Sequence, residues 1–151
     1  MNSKSVNSFW LATIWVGAFV ITVSIPIVTM MQHYVESATG LKSIEQISSL
    51  YAPYVGTVLT YVFAQKLINE SKVTPTFTLV MAIILSLVWN SVVVSTVLHV
   101  LWAPISLQEA TDQAVAIASK LSWFVAPVMG YYFAKPAIVK LEHSIDSVDR
   151  P

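Results

Sequence analysis

Residues 110–134 read ATDQAVAIASKLSWFVAPVMGYYFA, and every fourth residue along this stretch is small. The seven small positions are Ala110, Ala114, Ala118, Ser122, Ala126, Gly130 and Ala134. A shorter run with the same spacing consists of Ser48, Ala52, Gly56, Thr60 and Ala64. Between helices in lipid, small residues allow two backbones to approach closely, because lipid tails provide no hydrophobic drive for association. The spacing therefore predicts a helical bundle that packs tightly within a membrane.

The overall composition also favours a membrane-embedded chain. Of the 151 residues, 56% are hydrophobic and 11% are charged, whereas a soluble domain carries about 25% charged residues. The net charge is zero and the sequence has no basic cluster, so nucleic acid is not an expected partner. The chain has no cysteine, which excludes disulfides, thiolate chemistry and cysteine metal sites.

Four stretches approach the roughly 20 apolar residues that a transmembrane helix needs. Their predicted bounds are 9–31, 50–67, 77–102 and 121–135. The predicted fold is therefore all-α, with a four-helix transmembrane domain over residues 1–135. Two tandem helical hairpins, at about 9–67 and 77–135, make up this domain, and a short cytoplasmic tail follows at 136–151.

The distribution of lysine and arginine predicts the orientation, because these residues are enriched in cytoplasmic loops. With the N-terminus inside, only Lys42 and Lys120 lie on the outer side, and six cations lie inside: Lys4, Lys66, Lys72, Lys135, Lys140 and Arg150. Both termini are therefore expected in the cytoplasm, with the protein in a bacterial inner membrane. Lys120 is expected at headgroup level, where its side chain can snorkel. A charge at a pore mouth and a lipid-headgroup site are the alternatives.

The second and fourth stretches share a motif, which predicts a duplicated hairpin. APYVG at residues 52–56 matches APVMG at 126–130, and YVFA at 61–64 matches YYFA at 131–134. Chance similarity between apolar stretches is the alternative. Two capping boxes predict helix starts on the outer side of the membrane, one at Ser43 and one at Ser106. Four aromatic residues are expected in interfacial belts: Trp10, Tyr51, Tyr54 and Trp102.

Polar residues on two of the predicted spans are candidates for a hydrophilic path between helices. On the third span they are Asn90, Ser91, Ser95 and His99, and on the first span they are Thr22, Thr29 and His33. Hydrogen bonds that hold helices together are the alternative role. Two histidines without a carboxylate make a poor zinc site, so neither a metal nor a cofactor is predicted.

No acidic residue lies deep in a span, and no catalytic motif is present, so an enzyme is not expected. The leading hypothesis is a self-associating membrane protein, a channel or membrane-acting effector, which forms or gates a polar path for small ions or solutes. An accessory or assembly subunit of a larger membrane complex is the main alternative, and a small-solute carrier is a weaker one. The predicted packing interface comprises Ala52, Gly56 and Ala64, together with Ala114, Ala118, Ser122, Ala126, Gly130 and Ala134.

Overall fold

The computed structural model describes the backbone of residues 3–67 and 76–148, and the side chains of residues 9–62, 77 and 79–131. Within these ranges the chain forms four α-helices and contains no strand, which confirms the all-α prediction. The helices are α1 (Ser3–Met31), α2 (Ser37–Leu67), α3 (Thr76–Leu98) and α4 (Leu107–Val148). A short 3-10 helix, His99–Leu101, follows α3 directly.

The four helices form a bundle with a square cross-section. The α1 helix packs against α2, α3 packs against α4, α1 also contacts α3, and α2 also contacts α4. The α1–α2 connection (32–36) and the α3–α4 connection (99–106) lie at the same end of the bundle, which we call the hairpin end. Because neighbours in sequence run in opposite directions, α2 and α4 are parallel to each other, as are α1 and α3.

Three helices in the described part of the chain are long and apolar enough to cross a membrane. These segments are Phe9–Met31, Leu79–Leu101 and Leu107–Tyr131. The α4 segment begins well before the predicted residue 121, and the predicted second span in α2 is not among the three. The number of spans and their orientation therefore stay predictions. The predicted tail boundary at residue 136 is not a break in secondary structure, because α4 continues to Val148.

The end of α1 is a Schellman motif centred on His33. His33 has a positive φ of 59°. Its N–H donates to the carbonyl of Met30 at 3.0 Å, and the Tyr34 N–H donates to the carbonyl of Thr29 at 3.0 Å. These two bonds satisfy carbonyls that a helix end would leave unpaired, and they reverse the chain sharply. His33 thus has a backbone role that the sequence pattern did not predict.

One of the two predicted helix caps is confirmed, and the other is wrong. The Glu109 N–H donates to Ser106 Oγ at 3.1 Å, so Ser106 caps α4 as expected. Ser43, in contrast, is fully buried inside α2, which already begins at Ser37. The early start follows from the tight turn at the end of α1, since α2 can begin as soon as the chain has reversed.

Four aromatic rings fill the centre of the bundle. Trp15 stacks on Tyr54 with ring centroids 4.5 Å apart, and Trp89 lies 5.1 Å from Trp15 and 5.2 Å from Tyr51. The prediction that Tyr51 and Tyr54 belong to an interfacial belt is therefore wrong. Their 3–4 spacing with Ile47 and Val58 places all four on the face of α2 that turns toward the core.

Candidate functional site

We call the seven small positions at every fourth residue of 110–134 the α4 stripe, and the half of this stripe nearest the hairpin end is buried within the chain. Ala110, Ala114 and Ala118 are each at most 1% exposed. The Trp89 indole N–H donates to the carbonyl of Ala118 at 3.1 Å. Small side chains at these positions leave room for the indole to reach the α4 backbone. The small-residue spacing predicts that another helix packs closely here. At Ala114 and Ala118 that helix belongs to the same chain.

The other half of the stripe leaves the core. Ser122 is half-buried, whereas Ala126 and Gly130 are exposed, and the Ala134 side chain lies outside the described residues. A four-residue step overshoots the 3.6-residue turn by about 40°, so the stripe winds around the helix. Val125 and Met129 take over the core positions at this depth. A Cβ atom added to Gly130 would meet nothing within 4 Å.

The shorter stripe on α2 also faces outward. Ala52, Gly56 and Thr60 are exposed, Ser48 is half-buried, and the Ala64 side chain lies outside the described residues. We group these positions with the exposed small residues of α4 under one name, the small-residue face. It comprises Ala52, Pro53, Gly56 and Thr60 of α2 with Ala126, Pro127 and Gly130 of α4. In both copies of the shared motif, the alanine, proline and glycine point outward and the two residues between proline and glycine point inward.

The outward surfaces of α1 and α3 have a different composition. Their exposed side chains are mostly large and apolar, including Val20, Ile21, Ile27, Ile84, Leu87 and Val88. Branched aliphatic chains suit contact with lipid tails, whereas small residues suit close contact with another helix. The α2 and α4 helices also expose large side chains, including Leu59, Trp123 and Phe124, so what distinguishes them is the additional presence of the small-residue face.

The predicted path residues of α1 lie at different places. Thr22 is fully buried; its hydroxyl donates to the carbonyl of Ala18 at 2.7 Å and lies 3.3 Å from the Tyr51 hydroxyl. Thr29 is buried near the hairpin end, where its hydroxyl donates to the Pro26 carbonyl at 3.0 Å. His33 is exposed at the turn. The two threonines therefore form hydrogen bonds within the helix or across the core.

Asn90 lies in the core beside a small polar network. Its amide nitrogen donates to the Ser86 carbonyl at 2.8 Å, and its side-chain oxygen has no partner among the described residues. Ser86 Oγ accepts a hydrogen bond from the Trp15 indole at 3.0 Å and lies 3.6 Å from the sulfur of Met129. Ser86 thus links α1, α3 and α4, whereas the hydrogen bond of Asn90 stays within α3.

The remaining predicted path residues lie on the exposed side of α3 and the short helix that follows it. Ser91, Ser95 and His99 are all exposed, and Ser95 Oγ donates to the Ser91 carbonyl at 2.6 Å. The structure does not bring the seven predicted residues together, because the fully buried rings of Trp15 and Trp89 fill the space between the helices. We call Ser91, Ser95 and His99 the outward row. It is the only predicted polar group that runs along the bundle surface in the described residues.

Two features at the hairpin end were not predicted. The Gln46 amide donates to Asp112 Oδ1 at 2.9 Å, and the Gln108 amide donates to the same carboxylate oxygen at 2.8 Å and to Gln46 at 3.0 Å. These bonds hold α2 and α4 in register, but residues 62 positions apart give no sequence signal of the contact. A shallow cleft of about 530 Å³ lies between the two connections, and it is lined by residues including Thr29, Gln32, Glu36, Ile105 and Ser106.

Lys120 is exposed on α4, two residues beyond Ala118, whose carbonyl accepts the Trp89 indole N–H. The headgroup-level position expected for Lys120 stays a prediction.

No described carboxylate lies at the depth of Lys120. The four described acidic residues, all near the hairpin end, are Glu36, Glu45, Glu109 and Asp112. On α4, Asp112 is eight residues from Lys120, which corresponds to about 12 Å along the helix.

No protein-family model matches this chain, and no curated protein or solved structure matches it significantly. The geometry alone defines the class: an all-helical bundle whose long apolar helices are compatible with a membrane protein. Its candidate functional surfaces are the small-residue face, the outward row and Lys120.

Proposed function

We propose that this chain is a non-enzymatic integral membrane protein that self-associates and forms a polar path for small ions or solutes between its copies. In this proposal all four helices span a bacterial inner membrane, and the hairpin end faces outward. Both termini then lie in the cytoplasm, as the lysine and arginine distribution predicts. The small-residue face packs against a second copy of the chain.

The observation that carries the proposal is the contrast between a filled core and an uneven outer surface. Trp15, Tyr51 and Trp89 are fully buried, so a route through the centre of one chain would require these rings to move. The small-residue face, in contrast, has open space around Gly56 and Gly130. Helices in lipid associate preferentially through such small residues. A path is therefore better accommodated between chains than within one.

The outward row supplies polar side chains for such a path. Ser91, Ser95 and His99 follow one another at four-residue intervals along the exposed side of α3, up to the hairpin end. A serine hydroxyl that faces lipid can donate a hydrogen bond to a backbone carbonyl of the preceding helical turn, as the Ser95 hydroxyl does to the Ser91 carbonyl. Between copies, the same hydroxyls would be available to water and to permeating solutes.

Flux measurements on the purified full-length chain in liposomes test the proposal. We expect wild-type protein to pass small ions and Ser95→Leu to reduce that flux, because leucine removes a hydroxyl from the row. Val88→Leu is the matched control, since Val88 is also exposed on α3 but apolar, and it should behave as wild type. Liposomes that stay tight under all conditions, although they contain a discrete oligomer, would contradict the proposal.

The exposed small-residue face also fits a helix of a different protein, and this observation favours an accessory subunit as the second candidate. Affinity purification in mild detergent separates the two functions. A discrete homo-oligomer supports the path-forming function. A foreign membrane protein that copurifies in fixed stoichiometry, with no homo-oligomer, supports the accessory function instead.

A further inference from the structure

The outer sides of α2 and α4 each carry a continuous row of residues at intervals of three and four. The α2 row consists of Lys42, Gln46, Ser49, Pro53, Gly56 and Thr60, and the α4 row consists of Glu109, Asp112, Ala116, Ser119, Trp123, Ala126 and Gly130. Gln46 is half-buried and all the others are exposed. This spacing is typical of a helix face that packs along a neighbouring helix. Both rows begin with polar or charged residues near the hairpin end and lead into the small-residue face.

The two rows lie next to each other at the hairpin end. The Gln46 amide donates to Asp112 Oδ1 at 2.9 Å, and Gln46 accepts a bond from the Gln108 amide at 3.0 Å. Bonds to both of these residues place Gln46 level with about residue 110 of α4. Because α2 and α4 are parallel, Lys42 is level with about residue 106. Glu109 is then three residues further along, or about 4.5 Å.

The charges of the two rows are complementary. Lys42 is the cation of the α2 row, whereas the α4 row begins with the carboxylates of Glu109 and Asp112. Neither Lys42 nor Glu109 forms an ion pair within the described residues. Glu45 lies outside the α2 row, about 100° around the helix from Gln46 and away from α4. A second copy of the same chain therefore offers each row the charge that its own helix lacks.

We propose that the α2 row of one copy packs against the α4 row of a second copy, and that Lys42 of each copy pairs with Glu109 of the other. A two-fold axis perpendicular to the membrane makes the same contact twice and keeps equivalent residues at equal depth. The level difference of about 4.5 Å then also holds between copies, and a lysine side chain can span it. This inference rests on the self-association in the proposed function, and it adds which helices meet. The outward row lies outside this contact, so a path along it forms where two such pairs of copies meet.

Charge reversals at the two positions test the pairing. Donor-labelled and acceptor-labelled full-length copies are mixed in a mild detergent, and energy transfer reports the dissociation constant of the assembly. We expect Lys42→Glu to raise this constant about tenfold, because repulsion replaces an exposed ion pair at two equivalent places. Glu109→Lys should have a similar effect, and a mixture of the two variants should regain the wild-type constant. Glu36→Lys is the matched control, because Glu36 is exposed near the hairpin end but outside both rows, and it should leave the constant unchanged.

The mixture distinguishes a contact between copies from a contact within one chain. A bond between Lys42 and Glu109 of the same chain is lost in both variants, and mixing them cannot restore it. An unchanged constant for Lys42→Glu, or a mixture as weak as the single variants, overturns the pairing and leaves the path-forming function in place if the oligomer still passes ions. A monomeric wild type overturns both. A foreign membrane protein that copurifies in fixed stoichiometry, with no homo-oligomer, likewise overturns both.

Discussion

The two halves of the α4 stripe have the same spacing and opposite surroundings. From Ala110 to Ala118 the small side chains are buried, and Trp89 donates a hydrogen bond to the backbone carbonyl of Ala118. At Ala126 and Gly130 the same spacing faces outward, and open space surrounds the backbone. A small-residue repeat therefore predicts that another helix approaches this one closely, but it does not identify which helix that is. In the first half the neighbour belongs to the same chain, and in the second half we propose that it belongs to another copy.

The largest expected effect comes from removing the ring of Trp89, which is hydrogen-bonded to the buried half of the stripe at Ala118. Trp89→Ala deletes a fully buried indole at the centre of the core and should cost about 3–5 kcal/mol in the free energy of unfolding. Trp123→Ala is the matched control on α4, because Trp123 is 83% exposed, and it should change stability by no more than about 0.5 kcal/mol. Unfolding is followed by circular dichroism in a detergent in which the chain is monomeric. Equal losses for the two variants would mean that Trp89 does not hold the core.

A matched pair of enlargements distinguishes the two halves of the stripe themselves. Ala118→Leu places a larger side chain under the indole of Trp89 and should destabilise the monomer by about 1–3 kcal/mol. Ala126→Leu makes the same change at an exposed position, so monomer stability should stay within about 0.5 kcal/mol of wild type. The same monomeric detergent and the same unfolding measurement serve both variants. A destabilisation of Ala126→Leu as large as that of Ala118→Leu would remove the distinction between the halves.

The smallest effect is expected where the two halves meet. Ser122 is half-buried, and its hydroxyl donates to the Ala118 carbonyl at 2.8 Å, the oxygen that also accepts the Trp89 indole. Ser122→Ala keeps the size of the side chain and should cost about 0.6 kcal/mol, the average for a hydrogen bond in a membrane bundle. Native mass should not change. A large stability loss would show that the serine supports the position of Trp89 through their shared acceptor.

The fold class followed from the sequence because long apolar stretches with few charges allow little other than helices in a membrane. The sequence did not predict which side of each helix faces the core, since this depends on neighbouring helices that are distant in sequence. Asn90 and Ser91 are adjacent and both polar, yet about 100° of rotation separates them, which places Asn90 in the core and Ser91 outside. The 3–4 spacing of Ser86, Trp89, Val93 and Val97 was a usable signal for the inner face of α3.

The aromatic core was missed because an aromatic ring does not by itself indicate its surroundings. Aromatic rings occur both in interfacial belts and in packed interiors, so the sequence left the location of Tyr51 and Trp89 open.

The native mass of Gly130→Leu in mild detergent tests most directly whether the exposed half of the stripe faces another copy. A Cβ atom added here meets nothing within 4 Å and the position is exposed, so we expect the monomer fold to be unaffected. Gly17→Leu is the matched control on α1, because Gly17 has equally open surroundings outside the small-residue face. We predict that wild type and Gly17→Leu have a discrete multiple of the 16.6 kDa chain mass and that Gly130→Leu has the monomer mass. Wild-type mass for Gly130→Leu, or a monomeric wild type, would contradict the account.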